Sequence, residues 1–320
     1  MHTSPRITTS AKVVCDSVSP AGARLTTIEV TFARFVLAEV NTHRAFSRNS
    51  ASSRAIPTHK QIRRVVDDPF VPLVWASERP GMQGGDELTG WRRLAAVGAW
   101  RASSLGAAGM ARAMVGLGVH KSIANRLIEP FCWHTAIVTA TDWDNFFDQR
   151  CSPLAQPELR VAAEAMRAAL GASTPKPILA GEWHLPYIEA EDWQEAGQMT
   201  AEPWVIDLVR SVSVARCARV SYLTHDGRRD LGADLVLYER LVTAKPPHAS
   251  PLEHVATPCR HLPITASTGE VTRMGHLGNL RGWDQLRHMA LSPGDDSSGC
   301  ASRPPSLLVH RPSDAEATAS

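Results

Sequence analysis

The sequence predicts a mixed α/β (α+β) fold, because strand-like and helix-like periodicities alternate along the chain. Residues 25–32 (LTTIEVTF) alternate apolar and polar side chains, which indicates a strand with one buried side. Residues 157–171 open with a proline, end with a glycine and carry apolar side chains at helical spacing. The same spacing predicts another helix over residues 230–244.

The rest of the chain is expected to form one domain with short extensions. A length of 320 residues with 43% hydrophobic content can bury a sizeable core. We expect a flexible N-terminus over 1–20, a single domain over 21–290 and a disordered tail over 291–320. Within the domain, we expect an insertion or long loop over 55–105, because 70–105 is rich in Pro, Gly and Trp and lacks a clear period. Residues 107–170 are expected to be mainly helical.

Charge and composition exclude several classes of protein. The net charge of +2 gives no reason to expect a protein that coats a nucleic-acid polymer or lies on a membrane surface. The apolar runs are too short for a membrane helix, and the N-terminus lacks the apolar core of a secretory signal. The six cysteines form no CxxC pair, and no histidine spacing is typical of a metal site. A cytoplasmic protein without a metal is the expectation.

Residues 42–54, the arginine motif (THRAFSRNSASSR), carry the strongest chemical signal in the chain. They contain three arginines, one histidine, one asparagine and four serines. Guanidinium groups match phosphate oxygens in bidentate fashion, and serine hydroxyls add further donors, so the composition favours an anion site. The alternative is a solvated loop with ordinary surface arginines.

The arginine motif resembles the signature of flavin-dependent thymidylate synthases, in which Arg-His-Arg is followed by seven residues and a serine. The matching positions are His43, Arg44, Asn49, Ser52 and Arg54. The sequence departs from that pattern at two positions, because Thr42 stands in place of the first arginine and Ser50 in place of a common acidic residue.

Two further blocks resemble the same family. Residues 145–160 contain Arg150 and Arg160 at the spacing of a later helix motif. ARVSY (218–222) and HASPLEH (248–254) resemble the block with which family members usually begin. Here both follow the arginine motif, which implies a circular permutation of the fold, as in divergent phage-encoded members. The host cytoplasm is then the expected location.

The resemblance implies a flavin-dependent thymidylate synthase-like α/β fold and a homotetramer with shared sites. It implies transfer of one carbon from methylenetetrahydrofolate to carbon 5 of dUMP, with FAD as redox carrier and NADPH as reductant. The expected FAD-binding residues are Arg44, Asn49, Arg150, Ser221, His248, Ser250 and Glu253. The expected substrate-binding residues are Ser52, Ser53, Arg54 and Arg160. The expected catalytic residues are Arg160, Ser52 and His43, with His43 and His248 near the isoalloxazine ring.

Several alternatives share parts of this evidence. A related enzyme could hydroxymethylate dCMP or dUMP without NADPH; a cytosine pocket would need an acceptor, and Glu39, Asp142 and Asp148 are candidates. A non-catalytic nucleotide- or RNA-binding protein is disfavoured by the near-neutral charge and the lack of interleaved aromatic residues. An NAD-dependent oxidoreductase would need a complete glycine fingerprint, which GLGVHKS (116–122) lacks.

Two smaller questions remain open at the level of sequence. The arginines within 272–287 (Arg273, Arg281 and Arg287) could complete a phosphate or folate site that Thr42 leaves short of a charge, or they could lie on a surface helix end. Cys151 follows Arg150, which could lower the pKa of its thiol. A structural role for Cys151 is nevertheless the expectation, because no cysteine has a recognisable nucleophilic setting.

Overall fold

The computed structural model describes residues 7–220, 229–259, 264–265, 271–272 and 278–291. A five-stranded sheet in the order β3-β4-β2-β1-β5 forms its centre. The β1–β2, β2–β4 and β3–β4 pairs are antiparallel, whereas β5 runs parallel to β1. The bounds are β1 Ser10–Val18, β2 Arg24–Ala33, β3 Ser47–Ser50, β4 Trp133–Ala140 and β5 Lys176–Pro177.

Helices cover both faces of this sheet, and short strand pairs lie outside it. The helices are α1 Leu37–Val40, α2 Thr58–Asp67, α3 Gly90–Gly116, α4 Lys121–Ala124, α5 Asp144–Arg150, α6 Pro157–Ala172, α7 Ala190–Met199, α8 Trp204–Arg219, α9 Leu231–Thr243 and α10 Leu286–Leu291. The paired short strands are β6 Ala256–Pro258 with β9 Trp283–Gln285, and β7 Ile264–Thr265 with β8 Val271–Thr272. In the described part of the chain, 3-10 segments span Arg34–Val36, Asn125–Phe131 and Ser250–His254.

The alternation in β2 separates the two faces of the sheet. Ile28, Val30 and Phe32 are almost fully buried and join the core formed with α5 and α6. The opposite face of β4 presents Ile137, which packs against Cys217 at the end of α8. Burial of these side chains on both faces removes apolar surface from water and holds the three layers together.

A chain of buried polar side chains crosses the face that α8 covers. The ring of His184 bonds Ser17 through Nδ1 over 2.9 Å and Thr27 through Nε2 over 2.8 Å. Thr27 bonds Thr139 over 2.7 Å, and Thr139 bonds Nδ1 of His254 over 2.8 Å. Burial lowers the pKa of His184 and of His254 to about 3, so both rings are neutral at physiological pH.

Three predicted elements are confirmed. The strand over 25–32 is β2, the helix over 157–171 is α6 and the helix over 230–244 is α9. Helix α6 forms as expected because Pro157 suits its first turn and a row of apolar side chains faces the sheet. Among the described residues, no helix is long and apolar enough to cross a membrane.

Three expectations are wrong. The segment 1–20 is not simply a flexible N-terminus, because β1 lies inside the sheet between β2 and β5. The segment 55–105 is not an irregular loop throughout, because it contains α2 and the first half of α3. The expected helical region over 107–170 contains β4, whose apolar run is buried on both faces and therefore lacks a strand-like alternation. The expected tail over 292–320 lies outside the described residues.

Candidate functional site

The arginine motif lies where α1 ends and the edge strand β3 begins. Its first residues form turns closed by backbone bonds from Thr42 to Glu39 and from Phe46 to His43. Its middle, Ser47–Ser50, pairs with β4 and is therefore fixed by the sheet. The motif is thus part strand and part loop, with side chains directed to different surroundings.

His43 is buried at the start of the motif and accepts a hydrogen bond from the guanidinium of Arg150. Nε of Arg150 donates a hydrogen bond to Nε2 of His43 over 2.8 Å, and Nη2 of the same guanidinium donates to the Thr42 hydroxyl over 3.2 Å. Burial, and then the charges of Arg150 and Arg48, lower the pKa of His43. The imidazole is therefore neutral, with Nε2 as a hydrogen-bond acceptor.

The middle of the motif contacts a block two hundred residues later in the chain. The Asn49 amide donates to the backbone carbonyl of Cys217 over 2.9 Å, and its oxygen accepts a hydrogen bond from Ser250, 201 residues away, over 3.4 Å. The end of α8, which leads into the ARVSY block, and the HASPLEH segment thus both adjoin β3. A circular permutation predicts this adjacency, because it changes the order of blocks along the chain and keeps their places in the fold.

A second contact fixes the HASPLEH segment and the C-terminal residues to the same strand. The Gln285 amide donates to the Ser47 hydroxyl over 2.9 Å and to the Glu253 carbonyl over 3.2 Å. The Glu253 carboxylate forms an ion pair with Arg287. Expected cofactor residues on both sides of β3 are therefore held by buried or half-buried hydrogen bonds.

The loop 51–56, which ends the motif, rests on a buried polar cluster. Arg34 donates to the carbonyl of Ala51 over 3.1 Å and to the carboxylate of Glu129 over 3.0 Å. Asn125 donates to the carbonyls of Ser53 and Ile56 over 2.7 and 2.9 Å. These bonds fix the backbone of the loop from below.

The side chains of loop 51–56 divide between the interior and the solvent. Ser53 is 1% exposed and donates its hydroxyl hydrogen to Glu129, so this hydroxyl is directed into the protein. Ser52 is half-buried, and its hydroxyl accepts a hydrogen bond from the backbone N–H of Arg54 over 3.3 Å. Arg54 is exposed, and among the described residues no ion pair engages it.

Beside the motif lies a cavity of about 690 Å³, defined here as the motif cavity. Its walls are residues 42–46, Asp142, three side chains of α5 and the segment 278–281. Arg44 is exposed on this cavity, whereas Phe46 and Phe146 form its apolar floor. Of the acceptors considered for cytosine, Asp142 lines the cavity and is paired with Arg281 at 2.8 Å.

The remaining expected residues have more varied positions. Arg160 lies on α6, pairs with Glu164 at 3.7 Å and has an Nε atom that is buried without a hydrogen-bond partner. It is not one of the residues that line the motif cavity. His248 is exposed, and its backbone N–H donates to Leu241. Ser221 and Arg273 lie outside the described residues.

Sequence reasoning missed the residues that support the motif from other elements. No local sequence signal marked Arg34, which follows β2, or Asn125 and Glu129, which precede β4, because these strands carry no motif of their own. Asn279 and Gln285 lie within 272–287, where mixed Gly, Trp and Arg residues did mark the segment. Their function depends on contacts that only the folded chain creates.

Thiol and metal chemistry have no visible carriers in the described part of the chain. Burial raises the pKa of Cys15 to about 11 and of Cys132 and Cys259 to about 12. Burial also raises the pKa of Cys151, so the neighbouring Arg150 does not activate that thiol. No group of three or more His, Cys, Asp or Glu within these residues is placed to hold a metal ion.

Two solved structures of the UMP/dUMP methylase PolB from Streptomyces cacaoi are similar to this chain. The one bound with 5-Br dUMP is 16% identical, with a TM-score of 0.42 over 52% of this chain and 91% of that chain. The one bound with 5-Br UMP is 17% identical, with a TM-score of 0.43 over 52% and 92%. A search of curated proteins finds no match.

The family comparison covers the middle strands of the sheet and the arginine motif. The model for the thymidylate synthase complementing protein matches residues 18–176, which include β2, β3, β4, α5 and α6. The arginine motif, Arg150 and Arg160 all lie within the matched segment. Over this segment, the chain is similar to the thymidylate synthase complementing protein family.

Proposed function

We propose that this protein transfers one carbon from methylenetetrahydrofolate to carbon 5 of dUMP, with FAD as cofactor and NADPH as reductant. The observation that carries the proposal is the contact of Asn49, in the arginine motif, with Ser250 of the HASPLEH block. This contact joins two blocks that each resemble the flavin-dependent family and that lie far apart in the sequence. A surface loop rich in arginine would need no such partner.

The groups around the motif cavity fit a flavin nucleotide. The exposed guanidinium of Arg44 suits a phosphate, and the neutral ring of His43 lies beside it among aromatic side chains. Asn49 offers an amide on β3, and Ser250 and Glu253 offer a hydroxyl and a carboxylate on the adjoining 3-10 segment. When bound, the flavin supplies the hydride transfer, and the protein supplies binding, orientation and charge.

The substrate phosphate is assigned to Ser52 and Arg54. Arg54 is exposed, and the loop that carries both residues is fixed by Arg34 and Asn125, so its donors are preorganised. Ser53 supports this loop through Glu129 and is not assigned to direct contact with the phosphate. Arg160 is assigned to the base, where a guanidinium would stabilise negative charge as carbon 5 becomes nucleophilic. Its Nε atom supports this role, because it is buried, lies 3.7 Å from the Glu164 carboxylate and makes no hydrogen bond, and such a donor is costly unless a ligand accepts from it.

Assembly into a homotetramer is part of the proposal. Large apolar side chains are exposed along and just beyond α3, among them Trp91 (75%), Leu94 (70%) and Leu117 (83%). Monomeric proteins rarely expose such an apolar surface to water, so we expect another copy of this chain to pack against it. Sedimentation should therefore detect a species of four chains. A monomer at all concentrations would contradict this part.

The second candidate is hydroxymethylation of dCMP or dUMP. It is favoured by Asp142, a carboxylate acceptor on the cavity wall of the kind that an amino group of cytosine requires. Both oxygens of this carboxylate already have partners, one in the ion pair with Arg281 and the other in a hydrogen bond from Thr141, which disfavours this candidate. The departures at Thr42 and Ser50 also indicate a pocket that differs from the family pattern.

One experiment tests the proposal and separates the two candidates. The purified protein is titrated with FAD, and then incubated with methylenetetrahydrofolate and either dUMP or dCMP, with and without NADPH. A product that is heavier than dUMP by one CH₂ group and that requires NADPH supports the proposal. A gain of CH₂O without NADPH supports hydroxymethylation. A protein that takes up no FAD contradicts both.

A further inference from the structure

The C-terminal segment 278–281 forms one wall of the motif cavity, although it lies outside the matched family segment 18–176. It faces the residues that begin the arginine motif. Thr42 on the motif side is uncharged, and its hydroxyl is already bonded to Arg150 and to the Glu39 carbonyl. Thr42 therefore supplies no positive charge to this part of the cavity, and a charged side chain here must come from another residue.

The segment is a fixed wall because several hydrogen bonds attach it to the motif. The Asn279 amide donates to the carbonyl of Ala45 over 2.9 Å and to the hydroxyl of Ser47 over 3.0 Å. The backbone N–H of Arg281 donates to Thr141 over 3.2 Å. At Gly278, an added Cβ would lie 3.2 Å from His288, so the wall is also closely packed from behind.

The side chain of Arg281 lines the cavity on this wall. Its side chain is 80% exposed, and Nη2 lies 2.8 Å from one carboxylate oxygen of Asp142. The other oxygen of Asp142 accepts a hydrogen bond from Thr141 over 3.0 Å. Asp142 thus orients the guanidinium while engaging only one of its nitrogen atoms.

From this geometry we infer that Arg281 and Arg44 together bind the diphosphate of a dinucleotide in the motif cavity. Two guanidinium groups face one carboxylate there, so the cavity carries a net positive charge. Each planar guanidinium can bind one phosphate in bidentate fashion. The volume of about 690 Å³ lies in the usual range for a cofactor site. The inference rests on the proposed function for the identity of the dinucleotide, FAD.

The test compares ligands that differ in phosphate content on the full-length protein. FAD binding is followed by fluorescence, and ADP and riboflavin serve as a diphosphate without a flavin and a flavin without phosphate. Arg281→Ala is compared with wild type and with Arg112→Ala, which removes an exposed arginine of α3 outside the cavity. Unfolding curves verify that both variants fold.

Arg281→Ala is expected to weaken FAD and ADP about tenfold and to leave riboflavin affinity within about twofold, because only charge-assisted phosphate bonds are lost. Arg112→Ala is expected to match wild type. Unchanged FAD and ADP affinity in Arg281→Ala would overturn the inference, as would an equal loss for riboflavin or a loss confined to dUMP. ADP binding that requires Arg281 in a protein that binds no FAD would support the diphosphate site and contradict the proposed function alone.

Discussion

Nε of Arg150 lies 2.8 Å from Nε2 of His43, which joins the end of α5 to the first turn of the arginine motif. A ring nitrogen that accepts from a guanidinium cannot carry a proton. Burial first, and then the charge of Arg150, lower the pKa of His43 below its ordinary value of 6.5. The pair therefore fixes both the orientation and the tautomer of the imidazole.

Removal of that guanidinium charge should raise the pKa of His43. In Arg150→Gln, the repulsion between a protonated ring and a cation is gone, so protonation becomes easier. NMR titration of the histidine ring protons measures the change, and His43→Gln identifies the resonance. A pKa in the variant equal to or below that of wild type would show that Arg150 does not keep this ring neutral.

Arg160→Ala should lower kcat by about a hundredfold or more, because the guanidinium is proposed to stabilise charge that develops in the transition state. Its ion pair with Glu164 is partly exposed and contributes little to stability. Arg167→Ala, which removes an exposed arginine from the same helix, is the matched control. Full turnover by Arg160→Ala would remove this residue from the reaction.

Glu129→Ala should both destabilise the protein and weaken dUMP binding. The carboxylate pairs with Arg34, whose side chain is 8% exposed, so its loss leaves a buried charge and costs about 3 kcal/mol. Loop 51–56 loses its support at Ser53 as well, which should raise KM for dUMP more than it lowers kcat. Steady-state kinetics and urea unfolding measure both effects.

Glu129→Gln is the conservative comparison for that prediction. The amide oxygen can still accept from Arg34 and Ser53, so KM should return most of the way to the wild-type value. If Glu129→Ala lowered stability and left KM for dUMP unchanged, Glu129 would support the fold without positioning the loop.

Stability should fall as the pH decreases below about 6.5. Burial lowers the pKa values of His134, His184 and His254 to about 3, whereas the unfolded chain titrates near 6.5. The unfolded state therefore binds more protons within this window, and stability that is fully present above pH 6.5 is lost toward pH 3. At pH 5 each histidine costs about 2 kcal/mol.

Urea unfolding at pH 7 and pH 5 measures this dependence. His254→Gln keeps an acceptor for Thr139 and removes one titrating group, so its loss of stability between the two pH values should be smaller than that of wild type. An identical loss in both proteins would mean that His254 does not contribute to the acid sensitivity.

Arg216→Met should cost about 3 kcal/mol or more. The guanidinium is 6% exposed and is paired with Asp192 of α7 at 2.7 Å and with Asp234 of α9 at 2.9 Å. Its loss leaves these two buried carboxylates with only their half-buried partners Arg229 and Arg219. Arg93→Met removes an arginine from an exposed pair with Glu87 and should change stability by less than about 1 kcal/mol. Equal effects in urea unfolding would contradict the role of burial.

The local sequence determined the parts of this protein whose structure depends on near neighbours. The alternation over 25–32 predicted β2, the pattern after Gln156 predicted α6, and the arginine motif indicated the family before any contact was known. The strand β4 was missed because both of its faces are buried, so its pattern lacks the alternation that distinguishes a strand from a helix.

The tertiary structure decided which distant residues meet. It placed Ser250 against Asn49, directed Ser53 toward Glu129 and brought Arg281 to the cavity beside Thr42 and Arg44. Such contacts depend on how sheets and helices pack across two hundred residues of sequence, and no local propensity encodes them. The sequence alone therefore indicated the family that the motif resembles, while the fold determined the motif's supporting and charged partners.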